Sequence, residues 1–203
     1  MGRSRLADGT PAAPWRSLAA AIARQAVVAA ARREPYAVPR AWLTGRLAEP
    51  GASFVTLRAG GELRGCIGSL TARRPLAMDV AENGRAAALA DRRFPPLEAR
   101  ELGRLEIELS LLTPPEPIPA DSRSALLEAL VPGVDGLVLE EGACRATFLP
   151  AVWSQLPDPD AFVGHLERKA GVAAGSWSPA RRLSRYRTES IVVGPALGGS
   201  TDG

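Results

Sequence analysis

Ser53-Phe54-Val55-Thr56-Leu57-Arg58, Ala59-Gly60-Gly61-Glu62 and Leu63-Arg64-Gly65-Cys66-Ile67-Gly68-Ser69-Leu70 follow one another without a break. Two strand-like runs flank a glycine turn, and that arrangement predicts a β-hairpin. A hairpin implies antiparallel pairing. Outward from it, Leu105, Ile107, Leu109 and Leu111 alternate with Glu106, Glu108 and Ser110, the period of a half-buried strand. Glu141-Gly142 separates Gly136–Glu140 from Cys144–Leu149 as a second hairpin, and Leu183–Val193 reads as one last strand. Helices are predicted between these strands. Pro14 can open the first and Pro35 must end it, with Leu18, Ile22 and Ala26 on one stripe. Pro75 opens another, carrying Leu76, Val80, Gly84 and Ala87, and Phe94-Pro95-Pro96 stops it. Asp121 or Ser122 caps a third, while Asp158, Pro159 and Gly171 bracket a fourth. The fold class is therefore α+β, a largely antiparallel or mixed sheet with flanking helices. One domain is expected over residues 15–193, with disordered tails at 1–14 and 194–203, where Gly, Pro, Ser and Ala dominate without an apolar period.

Composition narrows the function. With 46% hydrophobic residues the chain can bury a core. The pI is 9.4, yet the net charge is only +3, and the arginines are spread among acids. That pattern argues against nucleic acid and remains compatible with a small anionic ligand. The soft metal ligands are Cys66, Cys144 and His165, far apart in sequence. A structural zinc takes about four, so no metal site is expected. Two cysteines do not make a disulfide scaffold, which points to the cytoplasm. Leu18–Ala31 is interrupted by Arg24 and Gln25, so no membrane span is expected.

Attention falls on Cys66. In a regular strand Arg64, Cys66 and Gly68 share one face, and Gly65 lies on the other. An arginine beside a thiol favours the thiolate, the nucleophilic form. Two glycines in a strand call for something that approaches the backbone closely, either a helix or a ligand. The competing reading is a packed cysteine behaving as a small hydrophobe.

Leu63-Arg64-Gly65-Cys66-Ile67-Gly68 matches the signature of the AMMECR domain family. Phe54-Val55-Thr56-Leu57, Asp91-Arg92-Arg93-Phe94-Pro95-Pro96-Leu97, Ile107-Glu108-Leu109-Ser110-Leu111-Leu112 with Pro114-Pro115-Glu116, Ala146-Thr147-Phe148-Leu149-Pro150, Val152-Trp153, Phe162 and Lys169-Ala170-Gly171 extend the resemblance over about Trp15 to Val193. The resemblance implies a large and a small subdomain around a groove near the signature. It also implies a place in the AmmeMemoRadiSam system, beside a Memo-type protein and a radical S-adenosylmethionine protein. The chain departs from the family pattern with Asp135-Gly136 where many relatives have His-Gly, and with Arg92 where relatives commonly have proline.

These readings give a candidate site. Cys66 is the nucleophile and Glu108 a base, with Arg64, Gly65, Gly68, Arg93, Ser110, Asp135 and Lys169 on the ligand side. Glu106 and Glu108 share a polar strand face that is as readily a solvated one. Lys169 is the only lysine against 24 arginines, but a cation near a helix C-terminus also suits the helix dipole. The leading expectation is a small thiol-dependent enzyme or catalytic subunit. The alternative is a non-catalytic binding or adaptor subunit that presents the groove. No cofactor can be named.

Overall fold

The computed structural model of the chain describes residues 14–196. The expected N-terminal tail lies outside the described residues except for Pro14, which opens helix α1 (Pro14–Arg32). The chain divides into two compact units. One comprises the residues up to Leu112 together with those from Glu189 on, and the other runs from Thr113 to Thr188.

The first unit contains α1, strands β1 (Pro50–Ala59), β2 (Glu62–Gly68) and β3 (Arg74–Pro75), helix α2 (Leu76–Leu89) and strand β4 (Leu105–Leu112). The sheet runs β2-β1-β4-β9, where β9 is Thr188–Pro195, and β3 pairs with β1. The hairpin forms as the sequence predicts, but with an irregularity. Ala59 pairs Glu62 and Arg58 pairs Leu63, then Leu57 pairs Gly65 and Thr56 pairs Cys66. Arg64 is the extra residue of a β-bulge, and the register beyond it shifts by one. One sheet face is apolar, with Val55, Leu57, Ile107, Leu109 and Ile191 in a core shared with Ile22 and Val27 of α1 and Val80 of α2. A buried polar knot ties α2 to β1. Asp79 Oδ2 accepts from the Ser53 amide at 2.9 Å, the Ser53 hydroxyl at 2.8 Å and Asn83 Nδ2 at 2.9 Å.

The second unit holds strand β5 (Glu116–Pro117), helix α3 (Arg123–Ala129), strands β6 (Gly136–Glu141) and β7 (Cys144–Phe148), helix α4 (Pro159–Ala170) and strand β8 (Arg182–Tyr186). Its antiparallel sheet runs β5-β8-β6-β7. Of the two proposed caps for α3, Ser122 serves, accepting from the Ala125 amide at 3.3 Å. Asp158 caps α4, accepting from the Ala161 amide at 2.8 Å, and Gly171 ends it at φ 79°. Trp153 stacks on Phe162 with ring centroids 3.8 Å apart, in a core with Leu137, Leu139 and Leu166.

The expected single strand Leu183–Val193 is corrected to two, β8 and β9 (Thr188–Pro195), one in each sheet. The break falls at Arg187. Its amide donates to Thr113 Oγ1 and its carbonyl accepts from the Thr113 amide, both at 2.9 Å, so it leaves both ladders. β9 also runs past the expected domain end at residue 193, and the Ala196 amide closes on the Leu105 carbonyl at 2.9 Å. Hairpins and flanking helices make this an α+β fold, as the sequence indicates.

Candidate functional site

Cys66 sits on β2, an edge strand whose one neighbour in the sheet, among the described residues, is β1. An edge strand leaves backbone groups unpaired on its outer side. Here Asp91 and Arg93 engage them. The Cys66 amide donates to Asp91 Oδ2 at 2.8 Å, and Arg93 Nη2 donates to the Cys66 carbonyl at 3.4 Å. Arg93 also grips Asp91 with Nε at 2.9 Å and Nη2 at 2.7 Å. That pairing holds the buried Asp91 carboxyl far below the usual carboxylate range, against the opposing effect of burial, and the amides of Cys66 and Arg93 help. The Cys66 backbone is thereby fixed at a position an edge strand would leave loose.

The thiol stands half-buried on the sheet face away from the apolar core. Its Sγ lies 3.4 Å from Thr56 Oγ1, its cross-strand partner. Thr56 in turn pairs with Glu108 on β4. Cys66, Thr56 and Glu108 thus form a row across three strands on one face. Strands are spaced by about 4.8 Å, so the row separates the Cys66 and Glu108 backbones by about 10 Å. Ser110 continues the Glu108 face, with its hydroxyl 3.5 Å from that of Ser190. Beside the row, Arg58, Glu106, Glu108 and the exposed Val192 line a depression of about 290 Å³.

Several predicted residues have other work. Arg64 is the bulge residue, so simple alternation does not carry from Cys66 to it. Its guanidinium is bound to Glu101 by Nε at 2.7 Å and Nη2 at 3.1 Å. That contact lowers the Glu101 carboxyl from its ordinary range. The sequence left open whether a helix or a ligand comes close to Gly65 and Gly68, and at both positions the protein itself makes a close approach. A Cβ on Gly65 would stand 2.4 Å from the Ala87 carbonyl of α2, and one on Gly68 would meet the Phe54 ring at 2.2 Å. Helix packing and aromatic cover explain both glycines.

Asp135 and Lys169 belong to the second unit. Asp135 is fully buried, accepting from the Val131 amide at 3.0 Å and Arg187 Nε at 3.3 Å. Lys169 is exposed, with Nζ 3.0 Å from the Thr147 carbonyl and 5.0 Å from the centroid of the Phe148 ring.

Sequence reasoning missed Asp91, Thr56 and Glu101. Asp91 could have been found as the first residue of the family-like run that contains Arg93. Thr56 could not, because an unbulged hairpin would place Val55 opposite Cys66. Among the described residues, no group of three or more His, Cys, Asp or Glu side chains could hold a metal ion. No helix among them is long and apolar enough to cross a membrane.

The AMMECR1 family model matches residues 20–191. The chain belongs to the AMMECR1 family. AMMECR1 relatives include a protein of Methanothermobacter thermautotrophicus, 37% identical over 67% of this chain and 72% of its own length. Another, from Thermofilum pendens, is 41% identical over 59% of this chain and 57% of its own length. The crystal structure of an uncharacterized protein from Pyrococcus horikoshii is similar with a TM-score of 0.71 and 28% identity, covering 87% of this chain and 90% of that one. The signature run and the Asp91–Arg93 clamp both fall inside the AMMECR1 match.

Proposed function

We propose that this AMMECR1 chain is a small enzyme or catalytic subunit with Cys66 as its thiol nucleophile or covalent carrier. The observation that carries the reading is a half-exposed thiol on a backbone pinned from outside by Asp91 and Arg93, with a hydroxyl 3.4 Å from the sulfur. Pinning holds a nucleophile in one geometry, which lowers the entropic cost of attack. In the proposed step the thiol loses its proton and the sulfur pair forms an S–C bond to an electrophilic carbon. The attacked carbon is that of a C=O group, whose π pair moves onto its oxygen. Thr56 hydrogen-bonds the sulfur, and Glu108, next in the row, is the proposed proton acceptor. Arg93 is the better anion holder of the two candidate arginines, since its Nη1 takes no part in the Asp91 and Cys66 bonds while Arg64 is occupied by Glu101. The proposal places the protein in the cytoplasm, on the strength of its two free cysteines, and in one pathway with Memo-type and radical S-adenosylmethionine proteins, on the strength of the family resemblance.

One observation favours the adaptor reading. Among the described residues the thiol's side-chain hydrogen-bond partner is a hydroxyl and not an imidazole or a carboxylate, so none of them touches the sulfur as a general base. Complementation of a deletion strain separates the two. Loss of the pathway's output with both Cys66→Ala and Cys66→Ser supports the nucleophile. Full output with Cys66→Ala overturns it and leaves the adaptor.

A further inference from the structure

The hairpin register decides which way the Cys66 thiol points. Before the bulge Arg58 pairs with Leu63, and beyond it Thr56 pairs with Cys66. Carried on unbroken, the first register would set Arg64 against Leu57, Gly65 against Thr56 and Cys66 against Val55. Partners in a ladder share a sheet face, and Leu57 and Val55 are fully buried in the core. The unbroken register would therefore turn the thiol inward and drive the Arg64 guanidinium into an apolar interior, where an unpaired charge is costly. The single extra residue reverses both.

Something has to hold that extra residue. The Arg64 guanidinium reaches Glu101 with Nε and Nη2, each on its own carboxylate oxygen, and both side chains are largely shielded, 14% and 26% exposed. Glu101 lies outside the hairpin, in the 3-10 helix Ala99–Arg104 that leads into β4. It is fixed from its own side. Oε2 accepts from the Glu98 amide at 2.9 Å, and the Glu98 carboxylate accepts from the Glu101 amide in a capping box. The Arg64 and Arg93 guanidiniums both lie against the Phe94 ring, 6.0 and 5.5 Å from its centroid. The tether of the bulge and the Asp91–Arg93 clamp thus meet at one side chain.

We propose that Glu101 is a positioning residue for Cys66. It holds Arg64, Arg64 holds the bulge, and the bulge keeps the thiol beside Thr56 on the open face. The inference rests on the reading of Cys66 as the working thiol, and its test needs no turnover.

Disulfide trapping reads the register directly. The Cys66 amide and carbonyl point away from β1, to Asp91 and Arg93, so Thr56 and Cys66 form a non-hydrogen-bonded pair with Cα atoms about 4.5 Å apart. That spacing suits a disulfide. In the full chain carrying Cys144→Ser, the thiol introduced by Thr56→Cys is equilibrated with Cys66 in a glutathione buffer, which gives the effective concentration of the pair. Adding Glu101→Ala should lower it about tenfold, and Arg64→Ala, which leaves the cap at Glu98 intact, should do the same. Glu101→Gln keeps an acceptor for Arg64 and should lower it only about threefold. Glu98→Ala removes one half of the cap, leaves the Arg64–Glu101 pair, and should change nothing. A value unmoved by both Glu101→Ala and Arg64→Ala, or lowered equally by Glu98→Ala, overturns the proposal. So does a thiol from Val55→Cys that traps Cys66 as well as the one from Thr56→Cys. Full pathway output with Cys66→Ala would instead overturn the nucleophile and leave the register result standing.

Discussion

Two ionic clusters, Glu167 in the second unit and Asp91 in the first, use charge in opposite ways. In the second unit, charge is turned inward and saturated. Glu167 is 1% exposed and takes Arg123 Nη1 at 2.8 Å, Arg181 Nη1 at 2.5 Å and the Gly175 amide at 2.8 Å. Arg181 is itself buried and also reaches Glu141 at 2.8 Å. In the first unit, Asp91 and Arg93 spend their bonds on the Cys66 backbone and on each other, which leaves the thiol on a half-open face. A charge whose partners use all its bonding capacity in the interior holds a fold. A polar group whose backbone is fixed while its reactive atom stays accessible is placed for chemistry.

The comparison can be broken most sharply at Glu167. Glu167→Ala removes the carboxylate that Arg123 and Arg181 share, leaving Arg123 to Asp160 and Arg181 to Glu141, and should cost about 3 kcal/mol of stability, read by urea denaturation. A loss under about 1 kcal/mol would mean that the inward network is not what holds the second unit. Gly65→Ala comes next. Its Cβ meets the Ala87 carbonyl, and a cost of about 1–3 kcal/mol is expected, with the same measurement showing whether α2 can yield.

Asp91→Asn sharpens the other half. It should cost about 1–2 kcal/mol at pH 7 and speed exchange of the Cys66 amide. Because the Asp91 carboxyl is held far below its ordinary range, its contribution is complete above about pH 4, where unfolded aspartate ionises. That contribution is lost as pH falls through the lower folded value. The variant should therefore show a flatter loss of stability in acid than the parent, measured by denaturation midpoints from pH 5 downward. The smallest expected change in stability is for Thr56→Val, under about 1 kcal/mol. Its effect should appear as slower alkylation of Cys66, and an unchanged rate would remove Thr56 from the site.

Much of this architecture can be read from residues. The alternation of Leu105 through Leu111 and the glycine turn at Gly60-Gly61 specify pairing and faces, because period and turn chemistry are local properties. Capping at Asp158 and Gly171 is local too. What could not be read depends on distant atoms. The bulge at Arg64 shifts the hairpin by one residue, and no composition signal at Leu63 or Arg64 announces it. Arg187 breaks the last strand because Thr113, far away in sequence, captures its amide and carbonyl. The signature runs single out Cys66 and Arg93, and the structure brings the two into contact. The roles of Gly65 and Gly68 needed the positions of Ala87 and Phe54. Asp135 and Lys169 proved to be engaged inside the second unit by Val131, Arg187 and Thr147, contacts that sequence spacing does not encode.

Cys66 is the centre of the proposed site, and Cys144 is a built-in control, since both are free and partly exposed. The deciding measurement is the ratio of their iodoacetamide alkylation rates in the native protein at pH 7, read by mass spectrometry. Cys66 is expected to react faster than Cys144, with an advantage that shrinks in Asp91→Asn and Thr56→Val. Equal rates, or a Cys66 that reacts only after unfolding, would contradict it.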